Sequence, residues 1–310
     1  FQAEDGIRDF CLSRGLGDVY KRQNGLVHLT AMAGRLGITI DLIKFDEITK
    51  NLPMIVDLKP SGTGYMEDLY KAGGSQRIFY ELKDFLYLDA KSVNGTTLGE
   101  EIKNSAKWTQ NIITDKSNPV FNAGSIAVLK GTLAPNSAII KQSAATESLL
   151  IHEGRAVVFE GLEDLANRID RDDLDVTKDD VLVLKSIGPK GGPGMPEAGL
   201  IPIPKKLAKQ GVKDMVRISD GRMSGTASGT IILHVTPESY ENGPLAIVEN
   251  GDLIKLDVPK RKIDLMISEE EIAERLLKRK KVNMRRRGYN KIYMEHVTQA
   301  DRGVDFDFLI

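Results

Sequence analysis

Two loops hold the side chains whose types and spacing could do chemistry. Gly188-Pro-Lys-Gly-Gly-Pro-Gly-Met-Pro-Glu197 packs four glycines and three prolines into ten residues. That composition excludes helix and strand and leaves a shaped loop presenting Lys190 and Glu197 from a stiff backbone. A carboxylate held this way suits a hard cation such as Mg²⁺, and it equally suits a cap on the following segment. Ser219-Asp-Gly-Arg-Met-Ser-Gly-Thr226 begins 22 residues beyond Glu197. It lies between the apolar runs Met215–Ile218 and Gly229–Val235, so it reads as a tight connection between two strands with Ser224 near its apex. Ser224 taken alone also fits an ordinary turn serine. The glycine-rich loop lacks the Lys-Ser/Thr ending of a nucleotide phosphate loop. No Gly-x-Ser-x-Gly elbow surrounds Ser224, which with only four histidines disfavours a serine-hydrolase triad. His234 falls in a strand as a core residue, His28 and His152 lack metal-ligand spacing, and His296 lies in the terminal segment.

The elements that must position these loops fall into two regions. Residues 24–118 are mostly helical in pattern, with Leu26, Leu29, Ala33 and Leu36 at helical spacing and Gly37 placed to end that helix. Ile78, Leu82, Phe85 and Leu86 mark a second helix and Leu98–Ala106 a short third, with the turn-rich loop Asp57-Leu-Lys-Pro-Ser-Gly-Thr-Gly64 between the first two. These helices read as the tail of an N-terminal α/β domain. Over 119–310 the pattern changes to short strands at Ile126–Leu129, Ala138–Ile140, Ala156–Phe159, Val181–Leu184, Val216–Ile218, Ile231–Val235, Ala246–Val248, Leu253–Leu256 and Ile263–Ile267. Asn250-Gly251 between two of these runs predicts a two-residue hairpin. Helices are expected at Leu162–Ile169, at Pro204–Gln210 and from the Ser268-Glu-Glu-Glu271 capping box to about Lys281. Many short strands with few helices predict a closed or nearly closed β-barrel, giving an α/β chain with a barrel-like C-terminal domain of the swivelling type.

Composition narrows the function classes. The chain has 310 residues, 41% of them apolar, enough to bury a substantial core. A net charge of -1 gives no general pull toward nucleic acid or membrane. The nine Lys and Arg residues of 275–291 follow Glu269, Glu270, Glu271 and Glu274, so they read as a solvated helix end rather than a nucleic-acid site. No apolar run approaches the ~18 residues needed to span a bilayer. The single cysteine, Cys11, fits a reducing, cytoplasmic compartment.

Residues 2–9 resemble the in-frame translation of a sequencing-library adapter, and residues 13–23 that of a transposon-type adapter. Residues 1–23 are therefore expected to be a non-native leader, outside the fold. The native polypeptide is then expected to begin near Asn24 as the C-terminal part of a longer protein, with no cysteine of its own.

The ordered set Asp57-Leu-Lys-Pro-Ser-Gly, Met66-Glu-Asp-Leu, Ala72-Gly-Gly, the two loops above, Gly243-Pro-Leu-Ala and Gly251-Asp resembles the dihydroxy-acid and sugar-acid dehydratases, relatives of dihydroxy-acid dehydratase and phosphogluconate dehydratase. Met195-Pro-Glu-Ala-Gly-Leu-Ile-Pro-Ile-Pro-Lys205, Asp214-Met-Val-Arg-Ile-Ser-Asp220 and the ending Gln299–Leu309 are similar to the pentonate branch, the arabinonate and xylonate dehydratases. Gly221 is instead the choice associated with the branched-chain amino-acid enzyme, which keeps the substrate open. The resemblance implies a hydro-lyase that removes water from a 2,3-dihydroxy carboxylate to give a 2-keto-3-deoxy acid, using Mg²⁺ and an iron-sulfur cluster. It implies Glu197 as a Mg²⁺ ligand and Ser224 as the base, with cluster cysteines and further ligands upstream, so that this chain alone is expected to be inactive. Arg222, Thr226 and Lys190 are candidate substrate contacts, although Arg222 also fits a pair with Asp220 that holds the turn. The implied partner is a small hydroxy acid, in a homo-oligomer without nucleic acid or membrane. A stand-alone barrel module that binds without chemistry is the rival reading.

Overall fold

The computed structural model describes residues 23–59, 61–105, 110–224, 228–279 and 287–310. The first helices are α1 (Asn24–Gly34), α2 (Leu42–Lys50), α3 (Met66–Lys71), α4 (Gly74–Glu81) and α5 (Leu98–Ile102). α1 is the expected helix, and beyond it the Gly37 N–H bonds back to the Gly34 carbonyl. α2 was not foreseen; Asp41 caps it, its carboxylate accepting from the Ile43 and Lys44 N–H groups. The predicted second helix is shorter than its apolar spacing suggests, with α4 ending at Glu81 and a 3₁₀ turn carrying Lys83–Phe85.

Eight strands follow: β1 (Ala127–Leu129), β2 (Ser137–Ile140), β3 (Ile151–Phe159), β4 (Val181–Leu184), β5 (Arg217–Ser219), β6 (Ile231–Thr236), β7 (Leu253–Asp257) and β8 (Lys262–Leu265). They form one sheet in the order β1-β2-β6-β5-β4-β3-β7-β8. The two edges nearly meet: the Lys130 N–H bonds the Arg261 carbonyl at 3.0 Å and the Ile263 N–H bonds the Lys130 carbonyl at 3.2 Å. The barrel-like sheet expected from the short apolar runs is therefore present. Strand alternation fills both its faces, because side chains two apart share a face. Ala127, Leu129, Ala138, Ile140, Ala156, Val158, Val181, Val183, Ile254 and Leu256 meet in the interior cluster. Val157, Phe159, Leu182 and Leu184 point the other way, onto Leu165 of α6 (Leu162–Arg168) and Leu207 of α7 (Lys205–Lys209). Each Val, Leu, Ile or Phe among them contributes about 1.5–3 kcal/mol by leaving water.

The middle of the sheet departs from expectation. β3, β4, β5 and β6 are parallel neighbours. Parallel neighbours cannot be joined by a tight turn, so β5 and β6 are not the tightly connected pair that was expected. Ala246–Val248 is not a ninth strand, since Pro244–Ile247 forms a 3₁₀ helix with proline in its first turn. Asn250-Gly251 consequently makes no hairpin; the Asn250 side-chain oxygen accepts the Val158 N–H and the Gly251 N–H bonds Ala156, fastening this turn to β3. β7 instead pairs antiparallel with both β3 and β8.

The helices of 24–50 share a core with the barrel: Leu26, Leu29, Ala33 and Phe45 pack on Val128 and Ile139, from the outer face of β1 and β2. A separate cluster of Ile55, Val56, Leu58, Ile78, Leu82 and Ile113 holds the segment that follows. At the far end, α8 (Glu269–Lys278) has the expected Ser268 cap, whose hydroxyl accepts the Glu271 N–H, and α9 (Tyr289–His296) precedes the terminal segment.

Candidate active site

Both candidate loops leave the same edge of the sheet. β4 and β5 run parallel with Leu184 opposite Ser219, so the glycine-rich loop after β4 and the serine loop after β5 emerge side by side. The carboxyl ends of parallel strands are where open α/β sheets present ligands. β6 is parallel to β5 and delivers Glu238 to the same edge.

Two buried carboxylates anchor the loops from beneath. Asp220 accepts the backbone N–H groups of Ser186 at 3.2 Å, Ile187 at 3.0 Å and Ser239 at 2.9 Å, joining the exits of β4, β5 and β6. Burial pushes its pKa up. Glu238 accepts the N–H groups of Lys190 at 2.9 Å and Gly191 at 2.9 Å and the Gln299 side-chain amide at 2.6 Å. Burial, together with nearby Asp220, pushes Glu238 up to about 7 against the opposing pull of these donors. A Cβ on Gly188 would lie 2.6 Å from a Glu238 carboxylate oxygen, so the close approach requires glycine there.

Arg222 and Asn24 tie the two loops to each other. Arg222 Nε donates to the Met195 carbonyl at 2.5 Å, and the Gly199 N–H donates to the Arg222 carbonyl at 2.6 Å. The turn-holding role open to Arg222 is thus exercised on the glycine-rich loop; Asp220 takes the backbone N–H groups instead. Asn24, in the first turn of α1, donates from Nδ2 to Glu197 Oε1 at 3.1 Å and to the Met223 carbonyl at 3.0 Å. His234 Nε2 lies 3.3 Å from Asn24 Oδ1. Burial, then Arg222 and His28 nearby, push His234 down to about 3, so its ring is neutral at ordinary pH. The reading of His234 as a buried, satisfied residue holds, and its hydrogen bond reaches into the site.

The candidate residues are placed as follows. Glu197 is exposed, and among the described residues Asn24 is the one hydrogen-bond partner of its carboxylate. Ser224 is half-buried and follows Met223 directly, so Asn24 brings the Glu197 and Ser224 loops together. Lys190 is turned to Glu241, with which its ammonium forms an ion pair. Thr226 lies outside the described residues. Gly221 has a packing reason of its own, since a Cβ there would lie 2.5 Å from Ile187 Cδ1; it therefore says little about substrate. No group of three or more His, Cys, Asp or Glu side chains that could hold a metal is found among the described residues. The exposed Glu197 carboxylate, with one oxygen oriented by an amide, fits a single ligand of a hard-cation site. No cysteine occurs in 24–310, so these residues do not fit an iron-sulfur cluster. Sequence reasoning missed Asn24, Glu238 and the anchoring role of Asp220; no local motif marks them, because Asn24 is 173 residues from Glu197 and 199 from Met223.

Comparison with known proteins bears on this geometry. Residues 111–304 match the family model described as dihydroxy-acid/6-phosphogluconate dehydratase C-terminal, and residues 23–101 match its N-terminal counterpart. The chain is 45% identical over 289 residues to an L-arabinonate dehydratase of Rhizobium leguminosarum bv. trifolii, covering 92% of the chain and 50% of the relative. It is 43% identical over 297 residues to an L-arabonate dehydratase of Azospirillum brasilense, covering 93% and 51%. With a dihydroxy-acid dehydratase of Methanococcoides burtonii the identity is 39% over 285 residues, covering 90% and 51%. The chain spans about half the length of these curated relatives. With matches running through both its helical segment and its barrel, the chain belongs to the dihydroxy-acid/6-phosphogluconate dehydratase family.

Proposed function

We propose that the complete protein is a hydro-lyase that dehydrates a 2,3-dihydroxy carboxylic acid of the sugar-acid class to a 2-keto-3-deoxy acid. The observation that carries this reading is the pairing of the Glu197 and Ser224 loops at the carboxyl ends of β4 and β5, linked through Asn24. Ser224 Oγ takes the proton from C2; the C2–C3 double bond forms as the C3–O bond breaks and the 3-hydroxyl leaves as water with the proton Ser224 accepted; the enol hydroxyl then gives up its proton as C3 gains one, giving the keto acid. A serine hydroxyl is too weak an acid to act so unaided, so the site must favour its deprotonated form. Mg²⁺ on Glu197 would supply that bias and would stabilise the negative charge developing beside the substrate carboxylate. Glu197 holds the cation, and Arg222 Nε, by gripping Met195, keeps the two loops in register. Arg222, Thr226 and Lys190 are the proposed substrate contacts, Lys190 with its charge already balanced by Glu241. Cluster thiolates and further cation ligands would come from outside this chain, which alone is proposed to be inactive. The parent is proposed to be cytoplasmic and homo-oligomeric.

A dihydroxy-acid dehydratase of branched-chain amino-acid synthesis is the second reading, supported by the 39% identity to the Methanococcoides burtonii protein. The two separate in an activity screen of the complete protein on pentonates, hexonates and 2,3-dihydroxy-isovalerate. Turnover of a pentonate is expected. Turnover of 2,3-dihydroxy-isovalerate alone would favour the second reading, and no dehydration of any of them would sink both.

A further inference from the structure

We propose that Asn24 is a positioning residue that sets the direction of the Glu197 carboxylate and its register with the serine loop, and that His234 fixes the orientation of the Asn24 amide. This rests on the reading of Glu197 as a cation ligand.

An amide nitrogen carries two hydrogens, and both are engaged: one on Glu197 Oε1, one on the Met223 carbonyl. Reversing the amide would set its oxygen against a carboxylate and a carbonyl, so Oδ1 is fixed as the acceptor. His234 Nε2, 3.3 Å away, must therefore carry its proton and donate. His234 reaches Asn24 through a break in the strand pattern. Ile232 and Val235 both face the barrel interior although they are three residues apart, whereas Leu233 packs outside with Met223. The parity changes at His234, which has φ 55, and the β2 partner shifts register between Ser137 and Ile139. Such an irregularity re-aims one side chain, here towards the loops. A non-glycine residue in the left-handed region costs energy and persists where its surroundings fix it. The result is a chain of contacts from β6 through His234 and Asn24 to Glu197, in the manner of the outer partners that orient metal ligands.

The test is Mn²⁺ titration of the complete protein, with thermal unfolding measured alongside. Asn24→Ala should weaken Mn²⁺ binding about tenfold or more; it also leaves the buried His234 N–H without its acceptor, so a lower melting temperature should accompany it. Asn24→Asp keeps the shape but points an oxygen at Glu197 and Met223; it too should bind Mn²⁺ more weakly, although an added negative charge by itself would tighten a cation. If Asn24→Ala does not fold, the isosteric Asn24→Asp decides. Asn24→Asp binding as tightly as wild type, or tighter, overturns the proposal. Glu197→Gln separates the two layers. Lost affinity in Glu197→Gln with full affinity in the Asn24 variants defeats the positioning role alone, whereas full affinity in Glu197→Gln defeats the ligand assignment and this inference with it.

Discussion

Glu238 shows how one side chain can hold a functional loop and carry a cost for doing so. It accepts N–H groups from Lys190, Gly191 and Gln299, which favour the carboxylate, while burial and Asp220 oppose it, leaving it near 7. Its folded pKa is raised, so on raising the pH the unfolded chain loses this proton first. Stability should therefore fall as pH rises from about 4.5 to about 7 and level off above, with Asp220 adding a contribution of the same sign. In melting curves recorded across that window, Glu238→Gln should flatten the slope; an unchanged slope would show that Glu238 does not titrate there. Of the residues at this edge, Glu197 and Ser224 were legible in the sequence because glycine and proline crowd the first loop and two apolar runs bracket the second. Asn24 was not legible, since its partners are distant in sequence and an asparagine in a first helical turn has nothing unusual about it.

At the scale of elements, apolar runs located the strands, and eight of the nine expected are present. Their pairing was hidden because a strand buried on both faces, such as Val181–Leu184, looks the same whether its neighbours run parallel or antiparallel. The consequence is functional, since only parallel pairing of β4 with β5 brings both loops to one edge. Ala246–Val248 misled because β-branched residues outweighed the proline that starts a 3₁₀ turn there. Asp220 joins the exits of three strands through three backbone N–H groups. Asp220→Ala leaves those donors buried without acceptors, at about 1–3 kcal/mol each. Chemical denaturation of the complete protein should show a loss of roughly 3 kcal/mol or more, and a loss of under about 1 kcal/mol would mean that the strand ends hold together without it.

At the scale of the whole molecule, a helical segment and a nearly closed barrel share a core, and the ends of β4 and β5 bring the Glu197 and Ser224 loops side by side. No helix among the described residues is long and apolar enough to cross a membrane. The proposed division of labour places the cation on Glu197 and the proton on Ser224, and the two roles can be separated experimentally. The most direct measurement is turnover and Mn²⁺ affinity determined together for Ser224→Ala in the complete protein. Removing a general base predicts a fall in kcat of about a hundredfold to ten-thousandfold, with Mn²⁺ affinity unchanged. Near-normal turnover in Ser224→Ala would contradict the account, because the proton would then leave C2 by another group.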